Sequence, residues 1–313
     1  MTLNIPKLEE LFENKTVLIL GAGASKDYGF PLWAKLKEEL LDIFRSPSVP
    51  EVSADGSANW WIDKLNNMDE TQTVDTLAPD APDEYFDRFR LALALIVARY
   101  ESLDNNTGWV ESFATKFAEM LLRIRDRDKI NQAVTNFTAI TLNYDRSFNR
   151  RFGLTVVEKF RAGLEGHGRN YKKYHQEVFE AHLYMVLHPH GSLGSTGEVH
   201  VNINDSTYQG SSSHLRVNYG DTNEIIKLFN EQGAIPNVTS IDDMSDGNNP
   251  CYFTANSKMH AKNAICIGLS DIGVKNCKLD FKNIQTVYYS GANKIYDNFI
   301  PLNIHAAPLI EAM

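Results

Sequence analysis

The stretch TVLILGAGASKDYGFPLW, Thr16 to Trp33, decides how the rest of the chain is read. Thr16 to Leu20 is a run of β-branched and aliphatic residues stopped by Gly21, the pattern of a buried strand in a parallel sheet. The turn Gly21-Ala22-Gly23-Ala24-Ser25 follows. From Pro31 onward Leu32, Leu36, Leu40 and Phe44 recur at helical spacing, and proline suits a helix's first turn. Glycines between a strand and a helix let the backbone approach a pyrophosphate, and a helix N-terminus offers free N–H groups and the positive end of its dipole. A tight turn of small residues would explain the same letters; the strand–turn–helix setting favours nucleotide binding.

A redox use of that nucleotide is poorly supported. Lys26 stands where the dinucleotide fingerprint has its third glycine. The acidic residue that would hold a ribose, roughly 20 residues on, has only Asp42 as a candidate, and Asp42 falls inside the helical pattern EELLDIF, on its solvated face.

Outward from this unit, Arg45 to Asn67 is rich in Ser, Pro, Asp and Gly and reads as loop. Two helical patterns follow, Asp83 to Glu101 and Trp109 to Arg127, the second with Phe113, Phe117, Leu121 and Ile124 on one face. Strand character returns in NFTAITLNYD (Asn136 to Asp145), HLYMVLHPHGSLG (His182 to Gly194), NAICIGLSD (Asn263 to Asp271) and IQTVYYSG (Ile284 to Gly291), with a short helix around NEIIKLFNEQG (Asn223 to Gly233). The expected fold is α/β: a Rossmann-like parallel sheet with flanking helices, one domain over residues 1–313, carrying a mostly helical insertion at 45–130. Strand after strand ends in small or polar residues (GAGAS, NYD, HGS, GLSD), and in open α/β sheets ligands sit beyond the carboxyl ends of the strands.

Composition narrows the class. Hydrophobic residues make up 43% and charged residues 23% of 313, an ordinary globular balance. The net charge of −9 is a poor footing for nucleic-acid binding. Cys251, Cys266 and Cys277 are widely spaced and odd in number, so neither a disulfide framework nor a cysteine zinc ribbon is expected, and a reducing cytoplasm is the simplest compartment. The N-terminus lacks a signal-peptide core, and the longest apolar runs, such as Leu91 to Ala98, are too short to cross a bilayer. His188 and His190 are spaced for one face of a strand, but no third ligand accompanies them and Pro189 strains the geometry, so no metal is expected. No G-x-S-x-G elbow is present.

Read in order, Gly21-Ala22-Gly23-Ala24-Ser25, Gly29-Phe30-Pro31, Asn143-Tyr144-Asp145, His190-Gly191-Ser192 and Gly268-Leu269-Ser270-Asp271 resemble the sirtuin-like superfamily. Its pattern is a GAG-x-S loop followed by Gly-apolar-Pro, an Asn-x-Asp strand end, a His-Gly-Ser loop, and a late strand ending in a Gly-x-Ser turn. The pieces are short, but they span almost the whole chain in the right order; only 45–130 is unmatched. Protein-deacylating sirtuins carry Asp-Phe-Arg after the proline and a four-cysteine zinc module. Here Pro31 is followed by Leu32-Trp33-Ala34, and the chain has three cysteines. The GFPLW, LNYD, HGSLG and GLSD forms look more like the bacterial sirtuin-like NAD hydrolases of antiphage defence.

That resemblance implies cleavage of NAD⁺ to nicotinamide and ADP-ribose, with NAD as substrate. It implies Asn143 and His190 as the catalytic pair, Asn143 placing the attacking water and the nicotinamide ribose and His190 contacting ribose hydroxyls or acting as base. Gly21, Ala22, Gly23 and Ser25 would take the pyrophosphate. Asp145 would orient neighbouring groups, and Gly268, Ser270 and Asp271 would lie by the adenosine ribose. Tyr144 is assigned to packing and Lys26 to solvent. The alternative is a non-catalytic module that senses NAD or ADP-ribose, or a regulatory subunit; an ADP-ribosyltransferase also remains open. The sequence reaches Met313 without an appended sensor, so an effector of this kind is expected to act as a homo-oligomer or with a separate sensor protein, and with neither nucleic acid nor membrane as partner.

Overall fold

The computed structural model describes residues 5–53, 56–69, 72, 81–103, 108–164, 186–190, 192–193, 217–233 and 250–313. Among them lie the strands β1 (Thr16–Leu20), β2 (Phe137–Thr141), β3 (Val186–Leu187), β4 (Asn263–Ile267), β5 (Thr286–Tyr289) and β6 (Phe299–Pro301). They form one sheet in the order β3-β2-β1-β4-β5-β6, and every pairing is parallel. This is the doubly wound order, in which the chain builds outward in both directions from a switch point between β1 and β4. The expected Rossmann-like α/β class is therefore what the chain adopts. β6 was not among the strands read from the sequence: it is three residues long, and only Phe299 of them is buried.

Twelve helices longer than a 3₁₀ turn accompany these strands among the described residues. They are α1 (Leu8–Phe12), α2 (Trp33–Arg45), α3 (Pro50–Ser53), α4 (Gly56–Asn66), α5 (Asp83–Leu103), α6 (Trp109–Arg123), α7 (Arg127–Asn136), α8 (Ser147–Leu164), α9 (Thr222–Gln232), α10 (Pro250–Lys258), α11 (Asp271–Asn276) and α12 (Ala306–Ala312). None is long and apolar enough to cross a membrane.

β1, β2 and β4 are buried at every position, because helices cover both faces of the sheet. Leu18 and Leu20 of β1 join one core with α2 and α4 to α6, while Val17 and Ile19 join a second with α10, α11 and β5. The larger core includes a ring cluster of Phe12, Phe113, Phe117, Phe137 and Phe152, with centroids 5.1 to 5.9 Å apart for contacts such as Phe12–Phe117 and Phe113–Phe137. Edge-on and tilted ring contacts of this kind add to the apolar burial itself.

Three local expectations are corrected. The span Arg45 to Asn67, read as loop, contains α3 and α4. Trp61 decides this: it is fully buried, its ring lies 4.5 Å from Phe89, and its indole N–H donates to Tyr85 O at 2.6 Å. Burial of so large a ring outweighs the weak propensity of the Ser, Pro and Gly around it. Pro31 does not occupy the first turn of α2; Leu32 is the N-cap and Trp33 the first helical residue. The pattern Trp109 to Arg127 is broken after Arg123, and Asp126 starts α7 by accepting from the amides of Asp128 and Lys129.

Candidate functional site

β1, β2 and β4 end level. Leu20 is in register with Thr141 on one side and Ile267 on the other, so Gly21, Leu142 and Gly268 emerge together at the switch point. A cavity of about 550 Å³ opens there, within the ~300–1,000 Å³ common for small-molecule sites. Its sheet side is lined by Gly21, Ala22, Gly23, Ser25, Asn143, Tyr144, Asp145, His190, Gly268 and Ser270. Its other wall is apolar: Phe30, Leu32, Trp33 and Leu36 around the start of α2, and Ile96, Val97 and Tyr100 of α5.

Asn143 is held from several sides. Its Nδ2 donates to Gly21 O and to Ser25 Oγ, both at 2.9 Å. Ser25 Oγ in turn donates to Asp145 Oδ2 at 2.8 Å, and Asp145 Oδ1 accepts from Ser147 N at 3.1 Å. Both amide protons of Asn143 are thus engaged, which fixes the side chain and leaves Oδ1 as its acceptor. Asp145 is buried, and that burial raises its carboxyl above the ordinary carboxylate range, against the pull of the Ser147 and Ser25 bonds. His190 is 3% exposed, with its ring centroid 6.1 Å from that of Tyr144. Gly191 of the His-Gly-Ser loop lies outside the described residues.

His188 faces the same network from behind. Nδ1 lies 3.3 Å from Asn143 O, and Nε2 lies 3.1 Å from the side-chain amide of Asn149. Burial pushes its pKa down to about 4, with Asn143 O opposing and Arg146 assisting. The ring is therefore neutral near pH ~7, well above that value. A neutral ring satisfies both contacts with Nδ1–H donating to Asn143 O and the Asn149 amide turned to donate to Nε2. Between the ordinary value of 6.5 and about 4 the unfolded chain binds the extra proton and the folded chain does not, so His188 lowers stability as pH falls through that window. Asp145 acts in the opposite sense, its raised pKa costing stability as pH rises past the unfolded carboxylate value near ~3.9. His188→Asn is expected to flatten the acid-side loss: the drop in urea midpoint between pH ~7 and ~4.5 should shrink relative to wild type, and an unchanged drop would refute the assignment.

The turn itself differs from its expected form. GAGAS leads into two 3₁₀ turns, Ala22–Ala24 and Lys26–Tyr28, before α2 begins. The amides of Gly21, Gly23, Ala24 and Ser25 already donate to Ile267 O, Gly268 O, Gly21 O and Ala22 O. The expected cradle of free N–H groups at a helix start is therefore absent over those four residues. Gly21 and Gly23 are needed for another reason. A Cβ on Gly21 would stand 2.7 Å from Gly268 O, and one on Gly23 would stand 2.9 Å from Gly268 Cα. The rear of the turn is pinned by α6, where Trp109 Nε1 donates to Ala24 O at 2.9 Å and Val110 N donates to Tyr28 Oη at 2.9 Å. Tyr28 Oη donates to Glu111, which also pairs with Arg151.

Nine of the ten residues singled out in the sequence thus line one cavity; Asp271 does not. Asp271 accepts from Tyr289 Oη at 2.7 Å and also bonds Asn293, and these bonds hold its carboxyl below the usual range. Ser270 lines the rim and caps α11 through Gly273 N at 3.0 Å. Lys26 and Asp42 are exposed. The apolar wall went unread in the sequence. Phe30 and Trp33 sat in the GFPLW stretch already quoted, whereas Ile96, Val97 and Tyr100 belong to a helix whose apolar run carries no sign of which residues face a ligand. Among the described residues no group of three or more His, Cys, Asp or Glu is placed to hold a metal.

Fold and site together define a doubly wound α/β protein with a small-molecule cavity at its topological switch point. No protein-family model matches the chain, and no curated protein matches it. Among solved structures it is similar to Sir2Tm bound to a propionylated peptide, at 15% identity over 98% of this chain and 95% of that one, with a TM-score of 0.41.

Proposed function

We propose that this protein is an NAD⁺ glycohydrolase that cleaves NAD⁺ to nicotinamide and ADP-ribose. The observation that carries the reading is the convergence of Gly21 to Ser25, Asn143, Asp145, His190 and Gly268 on one cavity at the switch point, from four separate segments of the chain. The motif order read from the sequence supplies the substrate. It also supplies the biological setting, a defence effector that depletes NAD⁺.

The chemistry asks little of the protein in acids and bases. As the bond between ribose C1′ and the pyridinium nitrogen breaks, its electron pair neutralises the ring, so nicotinamide leaves without a general acid, unlike the leaving group of an ordinary glycosidase. Water oxygen bonds to C1′ and its proton passes to a base. What remains is to hold the ribose, stabilise a cationic transition state and place the water. In this reading Asn143 Oδ1 orients the water, because Gly21 O and Ser25 Oγ already fix the amide protons. His190 takes the proton or holds the ribose hydroxyls. The apolar wall of Phe30, Trp33 and Tyr100 keeps bulk water from the reacting carbon.

Purified protein incubated with NAD⁺ is expected to release nicotinamide and ADP-ribose in equal amounts, measured by chromatography. Asn143→Ala is expected to lower kcat about 10²-fold, as misplacement of one reacting partner does, and His190→Ala at least as much. Silence of the wild type with NAD⁺ binding retained would make the chain a sensor; silence without binding would remove the NAD reading altogether.

A further inference from the structure

The geometry points to His188 as a positioning residue for the hydrolytic step, acting through the main chain of Asn143. The inference rests on the reading of Asn143 as the residue that orients the attacking water. The pair His188 and His190 stood out in the sequence, and the proposed chemistry uses only the second.

His188 follows β3, the edge strand whose Val186 and Leu187 pair with Ala139 and Ile140 of β2. Asn143 leaves the end of β2 beside it. One imidazole therefore spans three elements: Nδ1 reaches Asn143 O at 3.3 Å, Nε2 reaches Asn149 in the first turn of α8 at 3.1 Å, and the ring's own backbone continues two residues to His190. Asn143 is thereby fixed at both ends. Its side chain is tied to the β1 turn through Gly21 O and Ser25 Oγ, and its carbonyl to β3 and α8 through His188. Without the imidazole the side-chain bonds would still anchor Nδ2, and the bond from Asn143 N to Thr141 Oγ1 at 3.2 Å would still hold the start of the residue, but the peptide after Asn143 would lose its carbonyl tether and its rotation would carry Oδ1 out of line with C1′. Neither His188 nor Asn149 lines the cavity, so the pair acts on geometry and touches no reacting atom. Because β3 and the Asn143 loop meet at this ring, His188 also sets the spacing between Asn143 and His190.

The test compares His188→Ala, His188→Asn, His188→Gln and Asn149→Ala. An Asn side chain places its NH₂ where Nδ1 sits, and Gln places its amide nearer Nε2. His188→Ala is expected to lower kcat for NAD⁺ about ten- to a hundredfold, the range a small misalignment produces, with KM changed less than about threefold, since uniform binding is untouched. His188→Asn should recover most of kcat and His188→Gln should not; Asn149→Ala should fall between. A second readout needs no turnover. Hydrogen exchange of the amides from Asn143 to Ser147 should quicken about tenfold in His188→Ala and return toward wild type in His188→Asn, because a local constraint on opening has been removed and restored. A loss confined to KM, rescue by Gln rather than Asn, or unchanged exchange would overturn the assignment. If wild type hydrolyses no NAD⁺, the glycohydrolase reading falls by itself, and the exchange rates alone decide whether His188 holds the Asn143 loop.

Discussion

Glu101→Ala is expected to destabilise the protein by about 3–5 kcal/mol, the cost of leaving one member of a buried ion pair without its partner. Glu101, on α5, and Arg146, just before α8, are each 2% exposed. The carboxylate accepts four bonds: Oε1 from Arg146 N and Nε, both at 3.0 Å, and Oε2 from Arg146 Nη2 at 2.6 Å and Gly220 N at 3.2 Å. Arg146 Nη1 also donates to Val217 O at 2.6 Å. One side chain thus joins α5, the loop after Asp145 and the segment leading into α9. Alanine would remove the carboxylate and leave a buried guanidinium facing the carbonyls of Val217 and Asn218 and the ring of Tyr219. Arg146→Met should cost a similar amount, and the double variant Glu101→Ala/Arg146→Met should be far less damaging than the sum, since no charge is then left buried. Urea denaturation of the four proteins measures this directly; additive losses would show that the pair is not coupled. Arg146 adjoins Asp145, so the proposed activity should suffer with stability.

Gly268→Ala should cost about 2–5 kcal/mol, from ~1–2 for a left-handed backbone on a residue with a Cβ and ~1–3 for overpacking. Gly268 has φ +68°, and a Cβ there would stand 2.0 Å from Ala24 N and 2.4 Å from Gly23 C. No rotamer relieves a clash between a Cβ and backbone. Either the β1 turn withdraws from the β4 end, breaking the bond from Gly23 N to Gly268 O at 2.8 Å, or the fold gives way. Since Gly21, Gly23 and Gly268 all line the cavity, thermal melting and the NAD⁺ binding proposed for it should fall together. Gly29→Ala is the control: Gly29 also has positive φ, at +86°, but a Cβ would meet nothing within 4 Å, so only the backbone strain of ~1–2 kcal/mol should appear. A Gly268→Ala protein as stable as Gly29→Ala would mean that the two turns are not in contact.

Much of the candidate site was legible because a parallel sheet brings its functional groups to one edge. Once Thr16–Leu20, Phe137–Thr141 and Asn263–Ile267 are strands, whatever follows each of them arrives at the same rim, and Asn143, Asp145 and Gly268 could be gathered from strand ends alone. Asp271 escaped that logic because it begins a helix and turns to Tyr289 instead. The apolar wall was hidden because Leu91 to Ala98 is buried almost uniformly, and a helix apolar on all sides gives no face to read.

The sequence by itself determined the kind and place of the main elements, the Asn-x-Asp and His-Gly-Ser strand ends, and the glycines of the turn. These are local properties, written in the two-residue period of a strand, the 3.6-residue period of a helix and the conformational freedom of glycine. Only the tertiary structure decided why those glycines are there, what holds Asn143 and what Trp61 does to a stretch that reads as loop. Gly23 meets Gly268, and Ser25 meets Asp145 across 120 residues. Such contacts depend on strand order and packing depth, and no pattern within either segment encodes them.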